Sequence, residues 1–401
     1  MSRWLSIVGL GEDGLDGLAP LARHLVDSAG VLVGGERHLA MLPEDGRERL
    51  TWTRPLLTLV DEIVRRREHG VCILATGDPM WFGIGVTLAK RVPAAEMTVV
   101  PAPSAFSLAC ARLGWPLSEV ECVTLHGRPL ETVLPALYPG ARILALSDGG
   151  QTPGELAALL CARGFGDSRI TVLSHMGGAR EACLQGLAKS WSAAEVPAFN
   201  TVAIECLAGP DAKPLPRLPG LPDEAFEHDG QMTKREVRAV TLARLAPLPG
   251  QLLWDVGAGC GSVAIEWLRC APRGRAIAIE RDGGRRQRMA GNAAALGTPQ
   301  LEIVAGEAPR ALDGLSRPDA VFVGGGLARD GLIERCWESL APGGRLVANA
   351  VTLEGEARLL RWHAENGGDL SRLQISRAEP VGRLNGWRPA MAVTQLAAVR
   401  P

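Results

Sequence analysis

The sequence predicts an α/β protein of two units in series, and three observations carry that prediction. Short apolar runs alternate with amphipathic stretches along nearly the whole chain, and three glycines at alternate positions follow one such run at 257–261. Between these regions, prolines 210, 214, 216, 219 and 222 crowd a stretch too poor in backbone donors for a helix or an inner strand. At 401 residues and 46% hydrophobic content the chain can bury two or three cores.

Taken in order, "LSIVGL", "VLVG", "VCILAT" and "MTVV" read as strands, alternating with helices such as "PLLTLVDEIVRRREHG", whose apolar residues recur three and four apart. The runs "ECVTLHG", "ARILALS", "ITVLSHM" and "FNTVAIEC" continue the pattern to Cys206, enough for an α/β half of two lobes. Residues 1–206 therefore form one domain and 207–230 the linker. From 231 to 401 the expected order is a helix at 233–244, a strand at 252–256, a helix, a strand at 276–280 and a helix. Strands at 301–305 and 319–323, a helix, a strand at 345–350 and a helix follow. Two apolar segments near 372–378 and 390–399, joined by "EPVGRLNGW", predict an antiparallel pair added to a parallel sheet. The triplet arginine run 65–67 reads as a solvated helix end.

Composition excludes several classes. Nine scattered cysteines without a CxxC pair argue against a disulfide framework or a zinc site, and no metal is expected. A net charge of -1 argues against nucleic acid as a partner. No run of about 18 apolar residues calls for a membrane, and the glycines and acids of "MSRWLSIVGLGEDG" do not read as a signal peptide, so the expected location is the cytoplasm. There is no HExxH or Gly-x-Ser-x-Gly for hydrolysis.

The stretch "LLWDVGAGCGSVAIEW" is the beginning of a nucleotide-binding βαβ unit, where missing side chains let backbone approach a ligand. A phosphate-binding P-loop would need a lysine before Ser262, and a GxGxxG fingerprint would need glycine at 262. The pattern acidic-x-G-x-G-x-G, Asp255 through Gly261, instead fits S-adenosylmethionine, with a dinucleotide site or a purely structural turn as rivals. Asp255 would hold the loop or, through water, the methionine amino group. Glu280, ending the next strand, would accept both ribose hydroxyls, and Glu307 with Ala308 would meet the adenine. In the first half, Gly9, Gly11 and Gly14 follow a strand, and Gly77, Asp78 and Pro79 follow another. Together they suggest a second ligand site, while each alone fits an ordinary turn. His126 and His175 end strands that could face a cleft, although a structural role is the commoner one.

On further motifs the first half resembles the tetrapyrrole methylases, a class III methyltransferase family, through "VGLGEDGLDGL", "ATGDP", "PAPSAFSLACARLGWP", "TLHGRP" and "FNTVAIEC". The second half is similar to the class I decarboxylating methyltransferases of corrin synthesis, through "MTKREVRA", "DVGAGCGS", "GEAP" and "VFVGGG". The resemblance implies a two-lobed first fold and a Rossmann-like second one. It places S-adenosylmethionine at two sites per chain: at Thr233, the loop Gly257, Ala258, Gly259, Cys260 and Gly261, Glu280 and Ala308; and at Leu10, Asp78, Trp81, Ser104 and Ala105. Many tetrapyrrole methylases carry proline where this chain has Glu12.

The resemblance further implies methylation of precorrin-6B at C5 by the first half, and at C15 with decarboxylation of the ring C acetate by the second, giving precorrin-8 in cobalamin biosynthesis. The cobalt-containing precorrin is the alternative substrate, and a tetrapyrrole carrier or sensor the non-enzymatic alternative. A substrate rich in carboxylates calls for cationic partners, with Arg37, Arg128, Arg180 and Arg388 in loop-like stretches, and His126, as candidates. No residue stands out as the catalytic acid or base, and a homo-oligomer is expected.

Overall fold

The structure, a computed structural model, describes residues 3–53, 56–192 and 195–401. It divides into two units: Met1–Leu130 with Ala136–Pro214, and Glu131–Pro135 with Leu215–Pro401.

The first unit holds two sheets. Strands β1 (Leu5–Leu10), β2 (Val31–Gly34), β3 (Glu48–Thr51), β4 (Val71–Thr76) and β5 (Met97–Val100) form an all-parallel sheet in the order β3-β2-β4-β1-β5. Helices α1 (Pro20–Ser28), α2 (Glu36–Leu39), α3 (Leu56–Arg65) and α4 (Ile84–Leu88) lie between the strands. Parallel strands covered on both faces read as unbroken apolar runs, which is why β1, β2 and β4 were legible. The edge strand β3, "ERLT", carries no apolar run and was not anticipated. The arginines 65–67 are not simply solvated: Arg66 pairs with Glu48 at 2.6 Å and Glu62 at 3.0 Å, and Arg67 with Glu96 at 3.5 Å.

After α5 (Ala105–Leu113) comes a mixed sheet of β6 (Glu121–Thr124), β7 (Arg142–Leu146), β8 (Arg169–Ser174), β9 (Ala182–Leu187) and β10 (Asn200–Glu205), ordered β6-β7-β10-β8-β9, with α6 (Thr152–Ala162) following β7. Strand β10 runs antiparallel to both β7 and β8. The exposed β9, "ACLQGL", was also unforeseen.

The second unit is a seven-stranded sheet. It comprises β11 (Leu252–Val256), β12 (Arg275–Glu280), β13 (Glu302–Ala305), β14 (Ala320–Val323), β15 (Arg345–Ala350), β16 (Asp369–Leu373) and β19 (Val393–Val399), in the order β13-β12-β11-β14-β15-β19-β16. Helices α7 (Arg235–Leu245), α8 (Ser262–Cys270), α9 (Gly283–Ala295), α10 (Leu332–Ser339) and α11 (Leu353–Asn366) accompany it. The expected antiparallel addition is present as β19 between β15 and β16. Its first segment lies at 369–373 rather than 372–378, because "EPVGRLNGW" belongs to a separate hairpin of β17 (Ser376–Val381) and β18 (Leu384–Pro389).

The linker requires the largest correction. Its first part packs on the first unit: Leu207 N–H donates to Ser168 Oγ at 2.9 Å and Gly209 N–H to the Gly164 carbonyl at 2.8 Å. Its second part belongs to the core of the second unit, with Leu221 and Phe226 buried. The unit boundary falls at Pro214, inside the expected linker. Proline removes only its own donor, and the N–H groups of Leu207, Gly220, Leu221 and Glu227 find buried side-chain acceptors in Ser168, Glu266 and Asn292.

Candidate active site

The site of the second unit is built where β11 pairs with β12 on one side and β14 on the other, so that the strand order reverses outside the carboxyl ends. Open α/β sheets bind ligands at such a point. A cavity of about 1,200 Å3 opens there. Its lining includes Thr233, Gly257, Ala258, Gly259, Glu280, Glu307, Ala308 and Arg388, all anticipated from sequence.

The three glycines divide their work. Gly257 has φ +70, and a Cβ there would stand 2.8 Å from the Gly325 backbone, so this position lets two strand-end loops touch. Gly259, at φ +59, would meet nothing nearer than the Gln231 carbonyl at 3.7 Å; its backbone faces the cavity. Gly261 precedes α8, and a Cβ there would collide with Met289 Cγ at 2.5 Å, which makes it a packing glycine rather than a ligand contact. Cys260 is likewise buried among core side chains.

Asp255 does not reach the cavity. It is 1% exposed, and Oδ2 accepts the Ala264 N–H at 3.0 Å inside the first turn of α8. Burial pushes its carboxyl up to about 7, against the pull of that hydrogen bond and with a smaller push from Glu280. Of the two expected roles, the carboxyl therefore holds the loop from beneath. Glu280 is buried to 5% exposure, its Oε2 accepting from Gly259 N–H and its Oε1 from Asp282 N–H, both at 2.9 Å. Glu280 lines the cavity, and each of its oxygens has capacity to accept a further hydrogen bond. Glu307 is paired with Arg281 at 2.6 Å and with Arg329, and the Arg281 contact holds its carboxyl below the usual range. Its carboxylate is thus committed to arginines, and Ala308 beside it is buried.

One wall of the cavity is fixed by an ion pair hidden in the core. Arg238, fully buried on α7, donates to Glu266 on α8 at 2.6 Å, to Asp223 at 3.1 Å and to the Thr233 carbonyl at 2.5 Å. Glu266 in turn accepts the N–H groups of Gly220 at 2.7 Å and Leu221 at 2.9 Å. The proline-rich segment is thereby fastened so that 230–234 borders the glycine loop.

Sequence reasoning missed Gly324–Gly326, Asn349, Arg377 and Met391, which also line the cavity. The position of the glycines and Asn349 at strand ends was the available signal. Arg388 lies on β18, not in a loop, 3.0 Å from Glu379.

In the first unit the candidate residues meet around the ends of β1, β4 and β5. The Leu10 carbonyl accepts from Gly77 N–H at 3.2 Å and the Gly77 carbonyl from Ala102 N–H at 3.1 Å; the Leu10 side chain is fully buried. Asp78 Oδ1 accepts the Met80 N–H at 2.8 Å, and Ser104 caps α5 by accepting from Ser107 N–H at 3.1 Å, with Ala105 next to it. Trp81 is 40% exposed, its ring 5.6 Å from Phe106. Arg128 lies over Phe82, and His126 is exposed 3.5 Å from Asp148. Arg37 is helical rather than looped, and Glu12, His38 and Thr76 occupy its guanidinium. Arg180 is 74% exposed.

Comparison with known proteins defines the class these folds suggest. Residues 5–191 match the model of the tetrapyrrole (corrin/porphyrin) methylases and residues 224–400 that of the precorrin methyltransferase domain, both S-adenosylmethionine-dependent methyltransferase domains. A precorrin-6Y C(5,15)-methyltransferase [decarboxylating] of Sinorhizobium sp is 50% identical over 98% of this chain and 96% of its own. The chain belongs to the family of decarboxylating precorrin-6Y C5,15-methyltransferases. Two relatives match only part of it. A cobalt-precorrin-7 C(5)-methyltransferase of Salmonella typhimurium is 33% identical over 42% of this chain and 83% of its own. A "Probable cobalt-precorrin-6B C(15)-methyltransferase (decarboxylating)" of Sulfurisphaera tokodaii is 36% identical over 43% of this chain and 91% of its own.

Proposed function

We propose that this chain converts precorrin-6B to precorrin-8 in cobalamin biosynthesis, the first unit methylating C5 and the second methylating C15 and removing the ring C acetate carboxyl, each with its own S-adenosylmethionine. The observation that carries the reading is Glu280, a buried carboxylate fixed by two backbone N–H groups at the mouth of a glycine loop, with lone pairs left for ribose hydroxyls. The cofactor supplies a methyl group on a sulfonium.

The chain's own part in the second unit is placement. Gly257–Gly259, Thr233 and Glu280 would hold the cofactor, while Ala308, its carbonyl neighbours and the Gly324–Gly326 turn would bound the adenine. Arg377 and Arg388, on the hairpin strands at the cavity and paired with Glu236 and Glu379, would exchange those partners for substrate carboxylates. A meso carbon of a reduced tetrapyrrole is already enamine-like, so in-line placement supplies much of the acceleration. In the first unit, Asp78, Trp81, Ser104, Ala105 and the backbone after Leu10 are the proposed cofactor contacts, and Arg128, Arg180 and His126 the substrate contacts. That two relatives named for one step each match 42% and 43% of this chain supports the division of labour.

Incubation with metal-free precorrin-6B and S-adenosylmethionine, followed by mass analysis, is expected to show two methyls gained and one carbon dioxide lost. Turnover of the cobalt form alone would move the substrate to the cobalt series, and stoichiometric cofactor binding with no turnover of either would favour a carrier.

A further inference from the structure

Glu12 lies two residues beyond the carboxyl end of β1, and its side chain is only 6% exposed. A buried carboxylate needs partners, and Glu12 takes them from both sheets of the first unit. Arg37 reaches it from α2, Arg180 stands 3.9 Å away before β9, and His175, just after β8, places Nδ1 2.8 Å from Oε2. The carboxyl ends of the parallel strands are where ligands of such sheets bind.

His175 is held firmly. Its backbone sits at φ +49, a conformation that strains a non-glycine residue and persists only where surroundings impose it. Its ring lies 5.7 Å from that of Phe199, which also carries the Arg37 guanidinium at 4.1 Å. With Nδ1–H donating to Glu12, the bare basic nitrogen is Nε2, which has no hydrogen-bond partner among the described residues; the side chain keeps 13% exposure. Burial, then the nearby Arg180 and Arg37, hold the imidazole below its ordinary range despite the carboxylate, so it is neutral and able to accept a proton at pH 7.

We propose that His175 Nε2 is the base that removes the C5 proton after methyl transfer in the first unit, with Glu12 as the positioning residue that fixes its tautomer. The proposal rests on the reading that this unit methylates C5. As the bond from C5 to the methyl carbon forms, the S–methyl bond breaks and sulfur keeps its electron pair, leaving one positive charge on the macrocycle. The C5–H bond then breaks, its pair returns to the conjugated system, and the proton passes to Nε2. The macrocycle ends neutral and imidazolium forms beside Glu12, which stabilises it.

The full chain, given precorrin-6B and S-adenosylmethionine, tests this. His175→Asn tolerates the left-handed backbone but offers no base. It is expected to lower kcat for C5 methylation about 10²- to 10⁴-fold, with KM for the tetrapyrrole within about twofold and C15 methylation with decarboxylation retained. Calorimetric binding of cofactor to both units should be unchanged. Imidazole in solution should restore part of the C5 rate to His175→Gly. Glu12→Gln should lower the same kcat roughly tenfold at constant KM. Independently of turnover, nitrogen NMR of the imidazole in wild type should show the Nδ1–H tautomer. An Nε2–H tautomer, a wild-type C5 rate in His175→Asn, or a loss confined to KM would each overturn the proton role while leaving C5 methylation in place. A wild-type chain that never methylates C5 would instead overturn the reading of the first unit together with this step.

Discussion

Both units carry glycines at a strand end, Gly9 still inside β1 and Gly257–Gly261 just beyond β11, and the surroundings of the two sets differ. In the second unit Gly259 leaves its backbone open to a large cavity, and a buried carboxylate waits beside it. In the first, the space at Gly9 is already filled: a Cβ there would stand 2.0 Å from the Gly77 carbonyl oxygen and 2.4 Å from Ala102 N. Gly259 leaves space beside the cavity, whereas Gly9, like Gly257, lets a neighbouring piece of backbone come close. A glycine-rich strand end is thus evidence of close approach, and only the surroundings tell what approaches.

The difference can be broken at the anchors. Removing Glu266 takes from the buried Arg238 the nearer of its two carboxylate partners, leaving Asp223 at 3.1 Å, and strips the N–H groups of Gly220 and Leu221 of their acceptor. Glu266→Ala should therefore cost the second unit about 3–5 kcal/mol, seen by calorimetry as a lowered transition for that unit. A change within about 0.5 kcal/mol would mean the ion pair is not the anchor of the cavity wall.

A smaller effect is expected from Glu280→Gln, which keeps the side-chain volume but loses charge and one acceptor. Titration with S-adenosylmethionine should resolve two sites in wild type and weaken one of them at least roughly tenfold. Equal weakening at both would contradict the assignment. Gly9→Ala should destabilise the first unit by about 1–3 kcal/mol, since the backbone groups it would meet must move. The corresponding Gly259→Ala meets only the Gln231 carbonyl oxygen, at an ordinary 3.7 Å, and should cost only about 1 kcal/mol of left-handed strain, with its larger consequence in cofactor affinity.

The remaining prediction concerns pH. The Asp255 carboxyl, pushed up to about 7 in the fold, prefers its proton there more than it does unfolded, at about 3.8. Its contribution to stability is therefore fully present below about pH 4 and lost as pH rises through about 7. Asp255→Asn keeps an acceptor for Ala264 N–H and removes the charge. Denaturant unfolding of the variant should show a pH slope flatter by up to about 1.4 kcal/mol per pH unit over that window; an unchanged slope would place the titrating group elsewhere.

Such roles explain what could be read in advance. Continuously apolar strands such as "VCILAT" and the acidic-x-G-x-G-x-G loop declare themselves, because burial on two faces and backbone approach each restrict residue choice. Glu280 was legible because it ends a strand next to that loop. Strands β3 and β9 were not, since an exposed edge accepts polar residues. The proline-rich stretch misled because its stability comes from Arg238 and Glu266, distant in sequence, and no local pattern reveals an acceptor that tertiary packing supplies. Arg37 misled for the same reason, its charge being committed to Glu12.

The central claim is that chemistry divides between the two units, and cutting the chain at 214/215, which leaves only Glu131–Pro135 of the second unit on the first fragment, tests it most directly. Each fragment is first checked for folding by circular dichroism and for cofactor binding by calorimetry. Precorrin-6B given to the second fragment should return with one methyl gained, at C15, and one carbon dioxide lost. That product given to the first fragment should gain the C5 methyl. A folded, cofactor-bound second fragment that returns precorrin-6B unchanged, or a first fragment that decarboxylates by itself, would contradict the account.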